Sequence, residues 1–97
     1  MVEAGYRLSR LAVADLERIW SWTARYWSTE QAESYHAGLV AAFEGLGRGR
    51  KQGRVVDIRD GYRKYAVGSH LIFYRPSPAG IDVIRILHQR MDVERHL

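Results

Sequence analysis

Residues 68–92 read GSHLIFYRPSPAGIDVIRILHQRMD, setting His70, His88, Arg75, Arg85, Arg90, Asp82 and Asp92 among Val, Ile, Leu, Phe and Tyr. Histidine titrates near neutral pH and carries protons in acid–base chemistry, while arginine holds phosphate or carboxylate. Converged, these groups would make an active site laid along strands; dispersed, they are the polar flank of a β-hairpin. Arg75 precedes a turn, Asp82 opens the next apolar run, and His88, Arg90 and Asp92 follow that run. Such positions suit strand ends and an exposed tail better than a convergent pocket. His70 reads either as a partly exposed structural residue or as a residual acid–base group. His88 and Asp92 have metal-ligating chemistry, but no third ligand stands at a useful spacing. The chain has no cysteine, which excludes disulfides, zinc fingers and thiol nucleophiles. No metal and no cofactor are expected.

Charge is concentrated elsewhere. Residues 48–64 hold Arg48, Arg50, Lys51, Arg54, Arg59, Arg63 and Lys64 against Asp57 and Asp60, more than the whole net charge of +4. A cluster of this kind attracts phosphate backbones or an acidic protein partner, or is simply a solvated basic loop.

The elements that carry these groups follow from periodicity. Tyr6–Leu8 alternates apolar and polar and meets Ser9, a short strand ending at a helix cap. From Ala12 to Trp27, Leu16, Ile19, Trp20, Thr23 and Trp27 recur at helical steps, with Asp15, Glu17, Arg18 and Arg25 largely off the stripe. The pattern predicts a helix whose aromatic face, Trp20 included, is buried against a sheet. Trp22 falls outside it and hints at a further interface, although single surface aromatics are common. Ser28-Thr29-Glu30-Gln31 is a capping box that opens a second helix with Ala32, Tyr35, Leu39, Ala42, Phe43 and Leu46 on one face. Gly45, Gly47 and Gly49 weaken and then stop it. So short a link makes the two helices an antiparallel hairpin.

Tyr62–Val67, His70–Arg75 and Asp82–Leu87 are β-branched and aromatic runs of strand length. Gly68-Ser69 suits a primed hairpin turn, and Pro76–Gly80 reads as a longer link closed to any strand. His70–Arg75 is apolar on both alternating faces, which places it mid-sheet. The fold expected is α+β: a single domain over 1–97, ordered β-α-α-β-β-β, with the helical hairpin laid on one small antiparallel sheet. With 46% hydrophobic and 27% charged residues, the chain has the composition of an ordinary globular protein. No apolar run approaches the ~20 residues that span a bilayer, and Met1–Gly5 lacks the regions of a signal peptide. No membrane partner is expected, and the location expected is cytoplasmic.

Three blocks, D57-I-R-D-G-Y-R63, V67-G-S-H-L-I-F-Y-R75 and I84-R-I-L-H-Q-R-M-D92, together with the order of elements, resemble the ParE branch of the ParE/RelE superfamily of bacterial toxin–antitoxin toxins. The resemblance covers nearly the whole chain. It departs at Gly47–Gly53, where Arg48, Arg50 and Lys51 replace the Asn-Pro common in relatives and imply a more basic, more mobile loop. RelE-like relatives cut messenger RNA and place an arginine in the central strand; here that position is Leu71, which can stabilise no oxyanion. The resemblance therefore implies a non-enzymatic toxin with no catalytic residues. Such a toxin binds DNA gyrase and traps its DNA-cleavage complex, acts in plasmid stabilisation, and forms a hetero-oligomer with a ParD-like antitoxin. Nucleic acid would then be met only through gyrase or antitoxin. Candidate gyrase contacts are exposed groups on the C-terminal side: Arg85, His88, Arg90, Met91, Asp92 and Arg95. Candidate antitoxin contacts are Arg48, Arg50, Lys51, Arg54, Arg59 and Arg63, beside apolar positions on the hairpin and sheet edge. The alternatives are a RelE-like ribosome-dependent endoribonuclease using Arg59, Arg63, His70 and His88, and a module that merely binds nucleic acid through residues 48–64. Most side chains of the tail, residues 90–97, are expected to add little to the core, so that deleting residues 91–97 leaves a folded protein.

Overall fold

A computed structural model describes residues 5–97; the expectation drawn from Met1–Ala4 lies outside them. The elements are β1 (Tyr6–Leu8), α1 (Arg10–Tyr26), α2 (Thr29–Gly47), β2 (Arg54–Val55), β3 (Arg63–Val67), β4 (His70–Ser77), β5 (Gly80–His88) and α3 (Val93–His96). One five-stranded sheet runs in the order β1-β5-β4-β3-β2, with β1 parallel to β5 and the other pairs antiparallel. The architecture is the α+β one expected, made mixed by β1 and extended by the two-residue edge strand β2. β4 is central, as its two apolar faces require.

The two long helices, α1 and α2, each begin at a serine. Ser9 Oγ accepts the amide of Ala12 and Ser28 Oγ that of Gln31, which satisfies donors the helix cannot. Ala32, Leu39, Ala42, Phe43 and Leu46 of α2 are buried as its periodicity requires, and the last four join Ala12 and Leu16 of α1. Both pack on Ile72, Tyr74, Ile81, Val83 and Ile86 of the sheet. The opposite sheet face holds a smaller cluster of Val56, Phe73 and Leu87, covered by Tyr62, Leu71, Val93 and Leu97.

Three expectations fail. The link after Arg75 is not closed to strand: β4 continues to Ser77, Pro76 pairs with Ile81, and only Pro78-Ala79 form the turn. Proline fits there because β3 pairs with β4 no further than Tyr74, so nothing asks for the missing N–H on that side. The aromatic stripe of α1 is also misassigned. Trp20 is half-buried beside Leu8, Val13, Leu16 and His36 in a shallow groove, and Trp27 is 72% exposed. At about 100° per residue, Trp20 and Trp22 stand roughly 80° to either side of Ala12. Trp27 lies past the helix end, where the backbone turns. Finally, the tail is structural, because Val93 and Leu97 roof the second cluster.

Candidate functional site

The register sets His70 opposite His88 across β4 and β5, with the rings edge to face at 5.3 Å. Both lie on the helix side of the sheet, in phase with Ile72 and Ile86. Tyr35 reaches them from α2. Its hydroxyl donates to the Val67 carbonyl at 2.9 Å, accepts the Ser69 amide at 3.1 Å and stands 2.7 Å from His70 Nδ1. A hydroxyl has one proton, so Nδ1 of His70 is the donor in this network and Nε2 is left unprotonated in the neutral ring. Nδ1 of His88 accepts the Arg90 amide, which puts that ring's proton on Nε2.

The hairpin turn makes this contact possible. Gly68, at φ 55, gives the positive φ of a type II′ turn, and Ser69 needs none. A Cβ at Gly68 would come within 2.6 Å of the Tyr35 ring.

These groups close one end of a cavity of about 510 Å³ between the helical hairpin and the sheet. Ile19, Trp22, Trp27 and Met91 supply its apolar walls, and Trp22 is 55% exposed at the rim. Burial lowers the pKa of His70, the neighbouring His88 lowers it further, and Asp15 opposes both. The Tyr35 hydroxyl is raised, chiefly by burial, against backbone hydrogen bonds that lower it. His70 is therefore held toward its neutral form.

Beneath the cavity is a buried ion pair. Asp15 and Arg85 are 2% and 9% exposed, and Asp15 sits on the stripe between Ala12 and Ile19 instead of off it. Asp15 Oδ2 accepts Arg85 Nε at 2.8 Å and the Ile86 amide at 2.9 Å; Oδ1 accepts Arg85 Nη2 at 2.9 Å and Arg18 Nη2 at 2.6 Å. β1 ends its pairing at Val83, so the open edge of β5 beyond it is served by Ser9 and Asp15 of the connection and helix. The hydrogen bonds Arg85 donates to Asp15 raise its pKa further, which keeps it charged. Arg85 also donates to the His96 carbonyl at 3.1 Å, pinning the tail. Arg85 is thus not the exposed contact expected. It is a strut joining α1, β5 and α3.

The other sequence candidates fall into separate groups. His88 is half-buried in the cavity, Met91 borders it, and Arg90, Asp92 and Arg95 are exposed. Arg48, Arg50, Lys51, Arg54 and Arg59 are exposed and Arg63 is half-buried. They ring the end of α2 and the β2 edge, where Arg54 pairs with Lys64 and Val55 with Arg63. Cations suit both places, complementing a helix C-terminus and blocking edge-to-edge pairing. The loop is tied down: the amides of Arg50 and Lys51 bond the Gly45 carbonyl, and Lys51 Nζ lies 5.6 Å from the Tyr65 ring centre.

The four residues an RNase would need do not converge. Arg63 is four residues along β3 from Val67, the partner of His70, or about 13 Å. Leu71 faces the opposite side of the sheet from the histidines, under the tail. Among the described residues no cluster of His, Asp or Glu has the composition of a metal site, and no helix is long and apolar enough to cross a membrane. Sequence reasoning missed Asp15, Tyr35 and Ser69 as site residues. The spacing of Asp15, three after Ala12 and four before Ile19, was the available signal.

A family model described as the ParE toxin of type II toxin-antitoxin systems, parDE, matches residues 6–93. The chain is 49% identical over 94 residues to Toxin ParE1 of Mycobacterium tuberculosis, covering 95% of this chain and 96% of that one. It is 42% identical over 93 residues to Toxin ParE1 of Caulobacter vibrioides, at the same coverage. A solved structure described as the chromosomal ParDE TA system from P. aeruginosa superimposes with a TM-score of 0.75 at 20% identity, covering 91% of this chain and 98% of that one. That likeness extends to the fold. With the match spanning the domain from β1 to the start of α3, the chain belongs to the ParE toxin family of type II toxin–antitoxin systems.

Proposed function

We propose that this protein is a cytoplasmic, non-enzymatic poison of DNA gyrase that traps the enzyme's DNA-cleavage complex and is held inactive by a ParD-like antitoxin. Near-complete coverage of ParE1 toxins at 42–49% identity supports the toxin reading. One observation favours a protein–protein mechanism over RNA cleavage. The central-strand position that needs a phosphate-binding cation is Leu71, which packs with Val93 and Leu97 against the second cluster, on the sheet face turned away from His70 and His88. Stabilising the charge of a phosphoryl transition state requires a donor aimed at it, and a half-buried leucine supplies none.

On this reading the basic surface around Arg48, Arg50, Lys51, Arg54, Arg59 and Arg63 steers an acidic antitoxin. The exposed groups Arg90, Met91, Asp92 and Arg95 remain the gyrase contacts, together with the accessible edge of His88. Arg and Met are enriched at such interfaces. The test is expression of the chain alone, with chromosomal breaks and cellular mRNA scored in the same cultures. Breaks with intact mRNA, suppressed by co-expressed antitoxin, are expected. Cut mRNA without breaks would refute the reading.

A further inference from the structure

The cavity between the helical hairpin and the sheet has an electrostatic imbalance. The one carboxylate among the described residues that line it, Asp15, already accepts four hydrogen bonds, two of them from Arg85. Among the charged and titratable groups that line it, those with capacity left are donors or potential cations: the 64% exposed side chain of Arg18, Nε2–H of His88, and Nε2 of His70 once protonated, with Gln31 and Ser69 as neutral neighbours. Beside them stands an apolar wall of Ile19, Trp22, Trp27 and Met91. Tryptophan, arginine and methionine around a pocket form the composition of an interface hot spot.

We propose that this cavity receives one apolar side chain of the antitoxin together with an adjacent carboxylate, the apolar group against Ile19, Trp22, Trp27 and Met91 and the carboxylate on Arg18, His70 and His88. The identity of the occupant rests on the toxin–antitoxin reading above. The charge complementarity rests on the cavity alone.

Binding at this site takes up a proton. Asp15 and Arg18 on α1, Tyr35 on α2 and His88 on β5 line the cavity with His70, while Arg85 is bonded to Asp15 and the backbone amide of Arg90 to His88. Arg85 already engages Asp15, and Tyr35 holds only Nδ1 of His70, so both leave Nε2 free to protonate. A carboxylate arriving at Nε2 favours the imidazolium form, so affinity rises as pH falls. Tyr35 and the backbone fix the two rings in advance, which limits the ordering cost of binding.

The probe is indole-3-acetate, with 3-methylindole as the same ring without its carboxylate, titrated into the full chain and followed through the His70 and His88 ring resonances. The affinity for indole-3-acetate is expected to tighten by at least about fivefold between pH 8 and pH 6, and that for 3-methylindole to stay flat. His70→Gln should remove most of the pH dependence. Trp22→Ala, a rim substitution that leaves the core untouched, should weaken binding about tenfold at both pH values. Added ParD-like antitoxin should then displace the bound indole-3-acetate. A pH-independent affinity, or an unchanged one in Trp22→Ala, overturns the site. Antitoxin that binds and neutralises the toxin while leaving the probe in place overturns the occupant. If no ParD-like protein neutralises the toxin, it is the functional reading that fails, and the probe titrations still decide the chemistry of the cavity.

Discussion

Asp15 and Arg85 carry the largest single-residue consequence. Each is buried, and each has the other as its main partner, so removing one strands the other. Asp15→Ala also frees the Ile86 amide at the open edge of β5. The expected loss is about 3–5 kcal/mol, a large part of the ~5–15 kcal/mol that holds such a domain together. In a thermal melt this is a fall in Tm of at least about 12 °C; a shift of only a few degrees would show the pair to be dispensable. His70 adds a pH dependence. Its folded pKa lies below the usual 6.5, so the unfolded chain binds the proton more readily. The stability this contributes is complete above about pH 6.5 and is lost as pH falls through the folded value. Denaturant titrations from pH 8 to pH 5 should show this decline, and His70→Gln should flatten it. An equally steep decline in the variant would move its origin to other groups. Beyond the residue types and the in-phase spacing of Asp15, none of this was legible in the sequence. Asp15 and Arg85 are 70 positions apart, and only the parallel docking of β1 on β5 brings the first turns of α1 to that strand.

At the level of elements, local chemistry was a good guide. Ser9 and Ser28 cap their helices, the Gly47-to-Gly49 region ends α2, and the turn at Gly68 and the central place of β4 stand as their residues indicated. The misreadings came where a neighbour overrode local preference. Pro76 sits in a strand because one side of β4 is locally unpaired, and Trp20 and Trp27 leave the core because the helix phase and terminus set their direction. α3 is the other case. Its four residues lack periodicity, yet Val93 and Leu97 cover Phe73 and Leu87, and His96 is held by Arg85. Removing residues 93–97 should therefore cost roughly 2–3 kcal/mol and lower Tm by roughly 10–20 °C. An unchanged Tm would mean that the tail only rests on the sheet. Loss of toxicity in that truncation would report folding as much as gyrase contact. Substitutions at the exposed Arg90 and Arg95 are the cleaner way to probe the effector surface.

Across the whole molecule, the proposed reading gives two surfaces different tasks. The cationic edge of β2 and β3 lies at the far end of β3 from the histidine-lined cavity, so one antitoxin segment can be steered at one end and seated at the other. On the proposed reading, the candidate gyrase contacts after β5 flank the cavity through Met91, so an antitoxin seated there would lie beside them and mask them. The central claim is that the chain poisons gyrase through contact and performs no chemistry of its own. The direct measurement is incubation of purified toxin with gyrase, ATP and closed circular plasmid, followed by protein denaturation and gel analysis, with an mRNA and translating ribosomes in a parallel reaction. The account predicts linear plasmid with gyrase covalently attached, suppressed by antitoxin, and an uncut message. Unbroken plasmid alongside message cut in a toxin-dependent way would contradict it.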